Sequence, residues 1–206
     1  MPVELAGRGR RIHEAPYRNV DEAIEDVFQK IKADLFKAPY ALYGHSMGAM
    51  IAYELACKIR HEGLPAPVHL FFSGRGAPHV NRKDKVKYHL LADSDFKEEI
   101  IQLGGTPPEF FEYPELVEVL LPLLKNDFKL AESDPSEGPI VPFEEGITVF
   151  AGKEEDLTAE ECDGWKWYSS RKCTVHYFNG GHFFLNEEIG QIIKVINQAI
   201  CQSQDL

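Results

Sequence analysis

One serine set between two glycines opens the chemistry of this 206-residue chain. Gly44-His45-Ser46-Met47-Gly48 has the form G-x-S-x-G. In a nucleophile elbow of that form the serine sits on a sharp strand-to-helix turn and its hydroxyl projects above a sheet. Glycines are expected on both sides because larger side chains would crowd so tight a turn. The helix that follows would turn its positive end toward the site, and the backbone N–H of Met47 would be one oxyanion donor. A seryl hydroxyl is a weak nucleophile by itself. It needs a base, and the base needs a group to orient it.

Asn179-Gly180-Gly181-His182 puts a histidine in a glycine-rich turn near the C-terminus. That makes His182 the candidate base. The other histidines fit less well. His45, inside the elbow, is expected to point away; His69 and His176 fall within strand-like segments. His13, His61, His79 and His89 fall in loops, helix ends or a helical insertion. Elbow enzymes run serine, acid, histidine along the chain, so the acid belongs in the turn after the strand-like Ile147–Phe150. That turn reads Gly152-Lys153-Glu154-Glu155-Asp156. Asp156 is its only aspartate, and Glu155 is the other candidate. The four cysteines form no C-x-x-C pair and no metal-binding spacing, so no metal is expected, and reduced thiols are.

These residues need a frame to hold them. Short apolar runs alternate with helical patterns up to about Ser73 and again from about Gly146, which predicts a mostly parallel sheet flanked by helices. The order of elements and motifs resembles that of an α/β-hydrolase, and one domain over residues 1–206 is expected. Residues 83–132 carry helical patterning alone and read as a helical cap, or lid, inserted into it. A first amphipathic helix runs from Val20 to Ile31, with Asn19 and Glu22 spaced as a capping box. Tyr40–Tyr43 reads as a short buried strand, and Val68–Phe72 and Cys173–Phe178 as two more. A helix begins at Met50 and closes at Gly63. Thr158 and Glu161 form a second capping box, and Glu187–Gln202 has the pattern of a last amphipathic helix. Asp134–Pro139 reads as a flexible loop.

The net charge of −11 argues against nucleic-acid binding, which needs a basic surface. No apolar run reaches the length of a membrane span, and the first residues lack a basic-then-apolar leader, so a cytoplasmic protein is expected.

Taken together, the motifs resemble a type II thioesterase, the discrete editing enzyme of nonribosomal peptide and polyketide synthesis. The resemblance rests on Gly7-Arg8-Gly9-x-Arg11, on Tyr43–Ala49 around the elbow and on Ser73-Gly74-Arg75-Gly76-Ala77-Pro78. It rests also on Gln102–Pro107 in the cap and on Gly180-Gly181-His182-Phe183-Phe184-Leu185. It implies hydrolysis of an acyl thioester carried on the phosphopantetheine arm of an acyl or peptidyl carrier protein, with Ser46 as nucleophile, His182 as base and no cofactor beyond that arm. It implies that Phe110, Phe111, Tyr113 and Phe128 of the cap shape an acyl pocket. Aligned to the family without gaps, Glu155 rather than Asp156 falls where the acid usually stands. The family also carries a strand, a glycine-containing loop and a helix before the Gly-Arg segment. This sequence begins inside the strand preceding that segment, so about 30 residues of the pattern, one βαβ unit, have no counterpart and the fold is expected to be N-terminally shortened. Two other readings share these residues: a general carboxylesterase or lipase-like hydrolase, and an inactive, truncated hydrolase that only binds a carrier. Arg8, Arg10, Arg11 and Arg18, with Lys83, Lys85 and Lys87, are the basic clusters from which a carrier-docking patch would be drawn.

Overall fold

The computed structural model describes residues 1–80, 86–133 and 139–204. The chain divides into two compact units, one of Met1–Ala33 with Asp84–Asp134, the other of Asp34–Lys83 with Pro135–Leu206. Lys83, Lys85 and most of the expected 134–139 loop lie outside the described residues.

The second unit is built on a parallel sheet in the order β1 (Ala41–His45), β2 (His69–Ser73), β3 (Gly146–Gly152), β4 (Cys173–Phe178). Every residue of β2 is buried, as is β3 from Ile147 on. A parallel strand covered on both faces reads as a near-continuous apolar run, and Leu70-Phe71-Phe72 and Ile147–Ala151 do, the second broken only by the buried Thr148. Alternation then sorts the side chains. Leu70, Phe72, Ile147 and Val149 pack with Ala49, Ala52 and Ala56 of α2 (Met47–His61). Alanines there let the helix lie close to the sheet. Trp165 completes this layer, stacked on Phe72 with ring centroids 4.1 Å apart. Phe71, Phe150 and Phe178 face the other way, against Phe184 and against Ile192, Val195 and Ile196 of α6 (Ile189–Gln204). Burying one such aromatic is worth about 2–3 kcal/mol, so the two layers hold the sheet that carries the site.

β1 departs from expectation. It is not a buried strand: Tyr43 is 43% exposed. The reason is its place in the sheet, since among the described residues β1 pairs with β2 alone. Met1–Leu5, expected to contain a strand, are irregular. Glu4 is tied to the same unit instead: Arg11 donates to the Glu4 carbonyl at 2.8 Å, and the Arg10 N–H to the Glu4 carboxylate at 3.2 Å.

The first unit contains α1 (Val20–Ile31), α3 (Asp93–Leu103) and α4 (Pro114–Ala131). Asn19 caps α1 by accepting from the Glu22 N–H at 2.9 Å. The reciprocal half of the expected box is missing, because the Glu22 carboxylate accepts from the N–H of Arg18. At α5 (Ala159–Asp163), in the second unit, both halves of the Thr158–Glu161 box are present. Among the described cap residues 86–132 no strand occurs. Phe128 packs there against Phe96 and Tyr88, while Tyr113 is 55% exposed. Among the described residues, no helix is long and apolar enough to cross a membrane.

Candidate active site

The elbow forms where β1 runs directly into α2. Ser46 is the junction, with φ 55° and ψ −118°, and it is the one described residue other than glycine at positive φ. That conformation costs about 1–3 kcal/mol and persists only where the surroundings enforce it. Here the Ser46 N–H donates to the Ser73 carbonyl at 2.7 Å, and the Ser46 carbonyl accepts the N–H of Ala49 at 3.0 Å. The two flanking glycines turn out to differ. A Cβ on Gly44 would lie 1.9 Å from the Gly48 carbonyl oxygen, whereas one on Gly48 would meet nothing within 4 Å. Steric need therefore resides in the first glycine alone. α2 begins at Met47, three residues earlier than its apolar periodicity suggests, so the Met47 N–H is among the first-turn donors that have no intrahelical acceptor.

The histidine and acid turns extend the ladder between β3 and β4. Lys153 N–H donates to Phe178 O at 2.9 Å and Glu154 N–H to Gly180 O at 3.1 Å. The two turns touch so closely that a Cβ on Gly152 would fall 2.5 Å from the Gly181 carbonyl oxygen. This joint turn brings His182 to the elbow. Its Nε2 lies 2.9 Å from Ser46 Oγ, and its Nδ1 lies 2.5 Å from Glu155 Oε1. A carboxylate only accepts, so Nδ1 carries the proton and Nε2 is left to accept from the serine hydroxyl. The second oxygen of Glu155 accepts the N–H of Gly152 at 3.0 Å, which fixes the carboxylate from behind. Only 5% of the Glu155 side chain and 18% of that of His182 are exposed.

Of the two candidate acids, then, Glu155 is the one at the imidazole. Asp156 is exposed. The turn decides this: the short hydrogen-bonded loop from Gly152 to Glu155 aims one side chain inward and the next outward.

His45 corrects a further expectation. It does not point away. Its ring centroid is 4.9 Å from that of His182, and its Nδ1 is 2.9 Å from Ser73 Oγ. Burial pushes its pKa down to about 3, with the neighbouring His182 acting in the same direction. Residue type alone did not signal this, because the side of the strand on which His45 falls depends on where β1 stops. His69 and His176 lie in β2 and β4 as expected, and His69 bonds Thr148 and Ser203 far along the strand from the elbow. Among the described residues no group of three or more His, Cys, Asp or Glu is arranged to hold a metal ion.

Other proteins share this arrangement of chain. A family model described as Thioesterase domain matches residues 1–200. Gramicidin S biosynthesis protein GrsT of Aneurinibacillus migulanus is 38% identical over 193 residues, spanning 93% of this chain and 74% of that protein. Among solved structures, ClbQ from the colibactin NRPS/PKS pathway matches with a TM-score of 0.89 at 32% identity, covering 98% of this chain and 85% of that one. RedJ, a thioesterase from the prodiginine biosynthetic pathway in Streptomyces coelicolor, matches at 0.86 and 32%, covering 96% and 78%. By family model, sequence and structure alike, the chain belongs to the thioesterase family within the α/β-hydrolases, and its structural matches include the type II thioesterases BorB, of borrelidin biosynthesis, and YbtT, of the yersiniabactin NRPS/PKS pathway.

Proposed function

We propose that this thioesterase hydrolyses acyl groups from the phosphopantetheine arm of a carrier protein, through an acyl-enzyme on Ser46. One observation carries the reading: an unbroken hydrogen-bonded chain from Glu155 through His182 to a serine held at positive φ. Ser46 Oγ attacks the thioester carbonyl carbon while His182 Nε2 takes its proton. Glu155 holds the Nδ1–H tautomer and stabilises the imidazolium. The Met47 N–H and the positive end of α2 take up the developing oxyanion charge. The thiol then departs with the proton from His182, leaving an ester on Ser46. Water, deprotonated by His182, releases the free acid and restores the serine. The reaction so written uses no cofactor, since the pantetheine arm arrives with the substrate.

The pathways named for the relatives support the role we propose: removal of acyl groups from carriers in a nonribosomal peptide or polyketide assembly line. The expected docking patch needs revision. Arg8 makes two 2.8 Å bonds to Asp127, Arg11 is paired with Asp26 and Glu14, and Arg18 with Glu22. Arg10 extends into solvent, 93% exposed, beside Glu4. Lys87 donates to the Glu132 carbonyl. Most of the basic groups are thus matched by carboxylates of this chain, and a strongly charge-driven dock at the arginine cluster is not proposed.

The test compares an acylated carrier, the same acyl group on free pantetheine, and its oxygen ester. Faster hydrolysis of the acyl-carrier, abolished by Ser46→Ala, is expected. An oxygen ester turned over much faster than either thioester would make this a general carboxylesterase. No turnover by a folded protein that still binds the carrier would make it a binding remnant.

A further inference from the structure

We propose that His45 is a positioning residue for the base, bracing the His182 imidazole in the orientation that joins Glu155 to Ser46. The inference rests on the assignment of Ser46 and His182 given above. It comes from four observations. The His45 ring lies tilted against His182, centroids 4.9 Å apart, and also contacts Phe183 and Phe184, so it fills the space behind the histidine turn. It is itself anchored, through Nδ1 to Ser73 Oγ at 2.9 Å, and Ser73 is fully buried. Its Nε2 is buried and meets no side-chain or backbone partner of good hydrogen-bond geometry, the backbone of His182 being the polar group that acts on it. Finally, Gly74 gives it room: φ there is +62°, and a Cβ would lie 2.6 Å from His45 Cε1 and 3.2 Å from Glu155 Oε1. One glycine therefore separates the brace from the acid, and His45, Glu155 and His182 form a single packed cluster.

The brace is a neutral imidazole. Burial holds its pKa at about 3, so it adds no positive charge beside His182 when that ring becomes imidazolium. Nor is it a rival base, because its Nδ1 is committed to Ser73 and its ring does not bond Ser46. A ring-sized, uncharged, anchored group can limit rotation of His182 without altering the proton path.

The experiment uses the full chain with His45→Ala and Ser73→Ala. Four quantities are measured: kcat and KM on an acylated carrier, the rate at which a fluorophosphonate labels Ser46, and the low-field proton resonance of the His182 Nδ1–H···Glu155 bond. His45→Ala is expected to lower kcat and labelling together by about tenfold to a hundredfold, as a small misplacement of a catalytic group does, with KM unchanged and the low-field resonance broadened or lost. Ser73→Ala keeps every ring and frees the anchor; a fall in kcat of about fivefold, the worth of one hydrogen bond, is expected, again at constant KM. It decides the matter if His45→Ala does not fold. Wild-type kcat and an unchanged resonance in the folded variants would overturn the inference, as would a rise in KM at constant kcat. A wild-type protein that does not label at Ser46 would instead overturn the assignment of the site.

Discussion

Two turns at the same end of the sheet build the site, and they are specified differently. The elbow is dictated by backbone. Gly44 is obligatory because a Cβ there would clash at 1.9 Å with the Gly48 carbonyl oxygen, and Ser46 is forced to positive φ. The acid turn is dictated by side-chain reach. Lys153, Glu154, Glu155 and Asp156 succeed one another, and only the closure from Gly152 to Glu155 selects which carboxylate meets His182. A backbone constraint leaves a spacing in the sequence; a choice among neighbouring like side chains leaves none.

The contrast can be broken most sharply at the elbow. Gly44→Ala should abolish Ser46 labelling and cost about 4 kcal/mol or more of stability, read by chemical denaturation. Gly48→Ala should keep the fold, because its Cβ direction is open. Equal damage from the two would sink the claim that one glycine carries the steric need.

At the acid turn, Glu155→Gln should lower kcat by about ten-thousandfold, as loss of the charge that orients a catalytic histidine does. Asp156→Asn should stay within about twofold of wild type, as exposed substitutions do. The reverse ranking would return the role to Asp156. Gly152→Ala forces apart the two turns that meet at the Gly181 carbonyl, and kcat should fall by about a hundredfold with little change in KM.

The smallest effect lies at the other end of the strands. His69 is buried, bonded to Thr148 and Ser203, and desolvation pushes its pKa down to about 4 from 6.5. The unfolded chain takes up the proton first, so His69 supports stability fully above pH 6.5 and loses that support as pH falls toward 4. The slope approaches about 1.4 kcal/mol per pH unit. His69→Gln should flatten this part of a denaturation-against-pH series; an unaltered slope would count against the assignment.

The sequence carried much of this in legible form. Ser46 and His182 stand out by type and spacing. β4 spans the same residues as the strand-like segment Cys173–Phe178, and the Thr158–Glu161 box forms in full. What stayed hidden depended on three-dimensional neighbours. Tyr43 is exposed because β1 pairs on one side only among the described residues, which no local pattern encodes. His45 turns toward the base because β1 extends two residues beyond Tyr43 and aligns it with Ser73. Glu22 abandons its cap for the Arg18 N–H, a competition between two donors three and four residues away.

The most direct test of the Ser46–His182–Glu155 assignment is the intact mass of the protein after treatment with a fluorophosphonate. The wild type should gain a single adduct, Ser46→Ala none, Asp156→Asn the adduct at the wild-type rate and Glu155→Gln the adduct far more slowly. An adduct that persists in Ser46→Ala, or none on a folded wild-type protein, would contradict the assignment.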